Sequence, residues 1–249
     1  MQSQRYKPKN TINQGLFLLA FIMLGMVNIS SLIFFDGKGI GYQVSKSLLM
    51  PTLFMYYWMF KASSARFEHF LVMGALFFSW AGDVLLMYES SLFFLLGLGS
   101  FLLAHICYIL CFSLTLPPYK GKSYLGKHPW AYLPFLLYAA LLFWLIYGGL
   151  GNMTVPVLVY ATVICVMSLT ALNRWNRVSE ISFGYVFLGA LLFMLSDSLI
   201  AVGKFASDVV LIPFRQIWVM LTYMTAQYLI IHGILLHQTH PKPQQADMN

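Results

Sequence analysis

Charge is what this sequence has least of. Only 9% of its 249 residues are Asp, Glu, Lys or Arg, against about a quarter in an ordinary soluble domain. A chain so poor in charge cannot clothe a water-facing surface of this length. Cysteine is scarce too. Cys107, Cys111 and Cys165 lie inside apolar runs and have neither the spacing of a disulfide framework nor that of a thiolate metal site. No HExxH, His cluster, GxSxG elbow or phosphate-binding glycine loop occurs, so the sequence gives no basis for a zinc hydrolase, a serine hydrolase or a nucleotide-driven machine. The net charge of +7 is carried by short connections between apolar runs, a pattern of membrane topology and not of a nucleic-acid groove. No cofactor, metal or nucleic-acid partner is expected.

What the chain has instead is hydrophobic length. Some 59% of its residues are hydrophobic, and its mean hydropathy is +0.73. Apolar runs of about 18 residues or more recur, each enough to cross a hydrocarbon core of roughly 30 Å. They are apolar on both sides and too long for barrel strands, and backbone groups in lipid must be satisfied within their own segment. The expected fold class is therefore an all-α polytopic membrane protein. Its eight transmembrane helices would lie near 14–35, 44–60, 67–88, 92–116, 131–148, 153–172, 181–203 and 212–237. Three regions follow: a basic N-terminus at 1–13, an eight-span domain at 14–237 and a polar tail at 238–249. The first span reads as retained, because no small-residue cleavage site accompanies it. Arg5, Lys7, Lys9, Lys61, Arg66, Lys120, Lys122, Lys127, Arg174, Arg177 and Lys242 fall on one side, and Lys38, Lys46, Lys204 and Arg215 on the other. That bias places both termini in the cytoplasm.

Two acids stand out against this background. GALFFSWAGDVLLM carries Asp83, and GALLFMLSDSLIAV carries Asp197 in a nearly matching frame. Each lies about 16 residues into its span, roughly 24 Å up at 1.5 Å per residue, so their depths agree. The echo suggests a parallel repeat of four helices plus four, with the third and seventh spans facing each other across a pseudo-twofold axis. An Asp inside a membrane helix is costly and usually faces the bundle interior at a functional site. Other polar groups converge on the same zone: His105 and Tyr108 on the fourth span, Tyr223 and Gln227 on the eighth, Ser79 one turn before Asp83, and Ser196 and Ser198 flanking Asp197. Lys46 and Arg215 sit at the outer ends of the second and eighth spans. They would act as snorkelling anchors, as neutralising partners of Asp83 and Asp197, or as binders of an anionic group.

At these residues the sequence resembles the YhhN family of integral membrane proteins, whose animal members are lysoplasmalogenases. The likeness rests on Gly82-Asp83, His105-x-x-Tyr108 and Ser196-Asp197-x-x-x-Ala201, with Lys46 in SKSLLMP and Tyr223-x-x-x-Gln227 fitting as well. It covers nearly the whole chain. One departure is visible: Ser47 follows Lys46 where the family pattern has proline, and Pro51 comes later. The resemblance implies an integral membrane hydrolase, in the inner membrane if the source is bacterial. It would cleave the vinyl ether bond of a lysophospholipid substrate to give a fatty aldehyde and a glycerophospho-alcohol.

The residues suit that chemistry. Vinyl ether hydrolysis protonates a carbon and passes through an oxocarbenium ion, so its demands resemble those of glycoside cleavage: one acid to give a proton, one carboxylate to stabilise charge or activate water. Asp83 and Asp197 would form that catalytic pair, because two carboxylates sharing a low-dielectric site do not both carry charge easily. The hydroxyls beside Asp197 favour it as the base. Lys46 and Arg215 would hold the lipid phosphate, and His105, Tyr108, Tyr223 and Gln227 would orient water or the ether oxygen. Two other classes remain open at this stage. Paired intramembrane acids also serve proton- or cation-coupled transporters, and a non-catalytic lipid-binding protein would use the acids for structure alone.

Overall fold

The computed structural model describes residues 11–37, 39–62, 66–114, 116 and 123–239. The N-terminal tail before residue 11, the tail after 239 and residues 117–122 of the PPYKGKSYLGKHP connection lie outside the described residues, as do the topological roles expected of their basic side chains. All regular structure among the described residues is helical: α1 (Thr11–Phe35), α2 (Ile40–Phe60), α3 (Arg66–Leu85), α4 (Ser91–Leu114), the single turn α5 (Tyr124–Lys127), α6 (Leu133–Leu150), α7 (Thr154–Leu172), α8 (Glu180–Phe205) and α9 (Arg215–Thr239). Short 3₁₀ turns at Pro129–Tyr132 and Gly151–Met153 precede α6 and α7. The eight long helices fall on the eight segments expected from hydropathy. The last begins at Arg215 instead of 212, because Phe214 has φ 54°, a left-handed conformation that a bulky residue adopts only outside a helix.

Five stretches are long and apolar enough to cross a membrane: Asn13–Phe35, Ser91–Leu114, Pro129–Leu172, Glu180–Phe205 and Arg215–Gln238. The third contains two helices, α6 and α7. Their outward faces carry Leu136, Leu141, Trp144, Val155 and Leu158, all exposed, as expected of helices whose solvent is hydrocarbon. The chain is an all-helical integral membrane protein.

Small residues set how closely the helices pack. A Cβ at Gly189 would lie 2.8 Å from the Ile230 side chain and 2.9 Å from the Ala226 carbonyl oxygen, and one at Gly233 2.8 Å from Val186. These glycines bring α8 and α9 into the tightest pairing of the fold, the small-residue route to helix association in lipid. On α3, Gly82 makes room for the Phe101 ring of α4, which a Cβ would approach to 2.6 Å. Pro51 lies inside the continuous helix α2. Its missing N–H leaves the Ser47 carbonyl without its usual helical partner, and the Trp80 indole N–H of α3 donates to that oxygen at 3.1 Å. The proline thus becomes a fastening point between α2 and α3.

One end of the bundle is tied by a buried polar network. Tyr57 of α2 shares a 2.8 Å hydrogen bond with His69 Nδ1 of α3, and Gln238 of α9 donates to the Tyr57 hydroxyl at 3.0 Å. Gln238 also accepts from the Ala62 N–H at 3.0 Å. Beside these, the fully buried Arg174 after α7 donates to Ser182 of α8, whose hydroxyl donates to the Gly233 carbonyl of α9. Glu68 is close enough to Arg174 for their charges to interact. The other end holds the two aspartates. Helices α3 and α8, expected face to face, do not pack extensively on each other. α3 packs on α2 and α4, and α8 packs on α6, α7 and α9.

Candidate functional site

Asp83 and Asp197 are held separately, each by side chains from two other helices. Asp83, near the end of α3 and only 2% exposed, accepts a 2.7 Å hydrogen bond from the Tyr223 hydroxyl of α9. Lys46 of α2 lies within charge range of it. Asp197 of α8 accepts a short hydrogen bond from the Tyr160 hydroxyl of α7 and has His105 Nε2 of α4 at 3.7 Å. Between the two acids stands a cluster of rings. Phe193 meets Tyr223 edge-on at 5.4 Å and His105 at 4.7 Å, and Phe101 meets Tyr223 at 5.8 Å. The acids remain close enough for their charges to interact.

His105 is fully buried, and neither ring nitrogen has a hydrogen-bond partner. An imidazole in that state leaves both nitrogens without compensation for lost water, a cost of about 1–3 kcal/mol per unsatisfied group. Such a group is poised for an incoming polar atom. Asp197 is the more accessible acid, with a side chain 10% exposed. It borders two small apolar cavities of about 40 Å³ each, one among Tyr138, Phe143, Ile146 and Cys165, the other among Phe94, Leu98, Phe101 and Phe205. Asp83 lines neither.

A third cavity, of about 220 Å³, opens beside the second and shares Leu86, Phe94 and Ile200 with it. Its character is opposite: Lys46, Lys204 and Arg215 all line it. Lys46 is 7% exposed and donates to the Tyr42 hydroxyl at 3.4 Å. The Arg215 guanidinium lies across Gly203, where any side chain would overlap it. From the cleft to the adjoining slot the lining therefore passes from cationic to apolar, and Asp197 lies on the apolar side.

Several expected roles are not the ones observed. Tyr108 does not reach either acid; its hydroxyl donates to Gln227 at 2.6 Å, and the Gln227 amide donates to Ser79 at 2.9 Å. This buried relay joins α4, α9 and α3 below Asp83. Ser196 donates to the Val219 carbonyl, and Ser198 donates to the Met194 carbonyl while accepting from Tyr138 at 2.7 Å. Neither hydroxyl supports Asp197, because adjacent helical residues point in different directions. The argument for Asp197 as the base falls with them. Among the described residues Lys46 and Arg215 form no ion pair with the acids; the one basic group within 4 Å of either carboxylate is His105, beside Asp197, and it forms an ion pair only when its imidazole is protonated. Tyr160, Tyr138, Phe193 and Lys204 were not foreseen. Lys204 was findable, standing seven residues after Asp197 and so on the same helical face. Tyr160 gave no signal beyond a hydroxyl in an apolar span. Among the described residues no group of three or more His, Cys, Asp or Glu is arranged to hold a metal ion.

A helical membrane protein with buried carboxylates beside a cationic cleft and apolar slots is the class these features define. The sequence profile of the YhhN family matches residues 42–234, and the chain belongs to that family. It is similar to the lysoplasmalogenases of Mycobacterium bovis and Mycobacterium tuberculosis, each 31% identical over 152 residues, covering 59% of this chain and 53% of the relative. It is also similar to lysoplasmalogenase TMEM86B of Sus scrofa, 34% identical over 157 residues, covering 63% of this chain and 60% of the relative. The chain thus spans somewhat over half the length of the curated relatives it matches. No solved structure matches it.

Proposed function

We propose that this chain is a membrane-embedded hydrolase that cleaves the vinyl ether bond of lysoplasmalogen-type lysophospholipids. The observation that carries the reading is the change of polarity between adjoining cavities: three cations line the cleft, and the apolar cavity that shares Leu86, Phe94 and Ile200 with it is bordered by Asp197. A lysolipid has the same order, phosphate, ether and alkyl chain. The names of the curated relatives support the same reading.

In this proposal Asp197, which borders the slots, gives a proton to the vinyl carbon β to the ether oxygen. The resulting oxocarbenium ion is stabilised by the negative charge of Asp83, held in place by Tyr223. Water adds at the carbon bonded to oxygen and loses a proton to His105 or Asp197, 3.7 Å apart. The hemiacetal then loses its hydroxyl proton as its carbon–oxygen bond to the glycerol breaks and the glycerol oxygen takes up a proton, giving aldehyde and alcohol with one water consumed and no net change in the protons held by the site. Tyr160 fixes the carboxyl group of Asp197. Lys46 and Arg215, joined by Lys204, hold the phosphate. Tyr108, Gln227, Ser196 and Ser198 position helices and do not touch substrate.

The proposal keeps eight membrane crossings, cytoplasmic termini and a parallel repeat of four helices plus four. Partner exchange supports the repeat: Asp83 receives α9 and α2, and Asp197 receives α4 and α7. These are corresponding helices if α1–α4 repeat as α6–α9. The test is aldehyde release by purified, detergent-solubilised protein from choline, ethanolamine and phosphate lysoplasmalogens, with Asp83→Asn and Asp197→Asn alongside. Turnover lost in both folded variants is the expected result. Folded wild-type protein that releases no aldehyde in detergent would remove the hydrolase and favour a transporter, which acts only in a sealed vesicle.

A further inference from the structure

The cationic cleft carries information about the lipid head that a generic phosphate site would not. Its lining holds Lys46, Lys204 and Arg215 and no carboxylate, so an ammonium head group finds no opposite charge there. Aromatic faces are the other usual acceptors of choline-like cations, at about 6 Å or less from the ring centre. Both of the cleft's rings are already engaged by the protein's own ammonium groups. Lys46 Nζ stands 5.6 Å from the centre of Tyr42, and Lys204 Nζ 5.2 Å from that of Phe94. Lys46 also shares its charge with Asp83. Lys204 and Arg215 are left as two cations without an acidic partner among the described residues.

We infer that the cleft selects lysolipids whose head is a terminal phosphate monoester over those with a choline or ethanolamine head, with Lys204 and Arg215 as the specificity-determining pair. A phosphate monoester carries about −1.5 to −2 at neutral pH, which matches two free cations. A phosphodiester to choline or ethanolamine carries one negative charge and brings a positive one into a cleft that repels it. Arg215 offers a planar fork of donors to phosphate oxygens, and its position across Gly203 holds that fork against the cleft wall. Lys204, on a flexible stem and exposed, closes on the same oxygens as a point charge.

This inference rests on the hydrolase reading for its lipid, so its test separates binding from turnover. Binding is measured with saturated ether lysolipids, which lack the vinyl group and cannot be cleaved, bearing phosphate, phosphocholine or phosphoethanolamine heads. The protein is the full chain in detergent, and the readout is ligand-dependent thermal stabilisation and Kd. The phosphate-headed ligand is expected to bind at least tenfold more tightly than the choline-headed one. Lys204→Met and Arg215→Gln should each reduce that ratio to about twofold or less, chiefly by weakening the phosphate-headed ligand. Gly203→Ala, which displaces the guanidinium without removing it, should do the same. Equal or tighter binding of the choline head by the wild type would overturn the selectivity, as would a ratio unchanged in folded Lys204→Met and Arg215→Gln. Head-group preference in binding with no aldehyde from the cleavable counterparts would uphold the cleft and remove the hydrolase.

Discussion

Replacing Tyr223 with Phe deletes one oxygen and leaves the ring contacts with Phe101 and Phe193 in place. The oxygen lost is the donor of a 2.7 Å hydrogen bond to Asp83, which at 2% exposure has little water to replace it. A hydrogen bond to a charged group contributes about 1.5–3 kcal/mol, and a buried polar group stripped of its partner costs about 1–3 kcal/mol. The expected loss of stability is therefore about 1–3 kcal/mol, read as a fall in melting temperature of the detergent-solubilised protein. The sharper measurement is a double-mutant cycle. Groups in direct contact couple by about 0.5–3 kcal/mol, and independent sites add to within about 0.5 kcal/mol. Tyr223→Phe combined with Asp83→Leu should couple by at least 1 kcal/mol, roughly the lower end of that bond's worth. Combined with Asp197→Leu it should be nearly additive, because Asp197 takes its hydrogen bond from Tyr160. Equal coupling in the two cycles would refute the separate holding of the two acids.

Gly82→Ala should cost about 1–3 kcal/mol by forcing the Phe101 ring away from α3, and Phe101→Leu in the same chain should recover part of it, both seen in thermal melts. Gly189→Ala meets the backbone of α9 as well as Ile230; it should destabilise by a similar amount, whereas Gly99→Ala, with open space around it, should stabilise by about 0.5–1 kcal/mol. Tyr160→Phe should lower the aldehyde-release rate by roughly 5- to 150-fold, the equivalent of about 1–3 kcal/mol, with little change in KM, since the tyrosine acts on Asp197 and not on the lipid head. Arg174→Met should destabilise the fold by about 1.5–3 kcal/mol through the lost bond to Ser182 while leaving the head-group preference unchanged in the binding assay.

The helices were legible because hydropathy and length are properties of contiguous sequence. All eight long helices fall on stretches that read as apolar from residue order alone. Asp83, Asp197, His105 and Tyr223 were legible as a set because a polar atom in an apolar helix has few places to go, and the structure brings all four to one end of the bundle. What could not be read was which atom meets which. Ser196 and Ser198 neighbour Asp197 in sequence but point elsewhere in the helix, one to a carbonyl of α9 and the other to Tyr138 of α6. Tyr108 shares its helix with His105 but points to Gln227. Tyr160 became visible only once α7 was packed against α8. Sequence spacing reports position around one helix axis, and a partner on another helix depends on crossings that no local pattern encodes.

The polar network at the far end of the bundle has a mechanical consequence. Hydrogen bonds through Tyr57, His69 and Gln238 fasten α2 to α9 and α3, and those through Ser182 join α8, α9 and the turn after α7. At the opposite end, α8 and α9 are joined through residues 206–214, and the cleft beside that join is lined by the long side chains of Lys204 and Arg215. Under the hydrolase reading, an alkyl chain bulkier than slots of about 40 Å³ would need the helices around Asp197 to shift, and the network at the far end would hold their other ends in register.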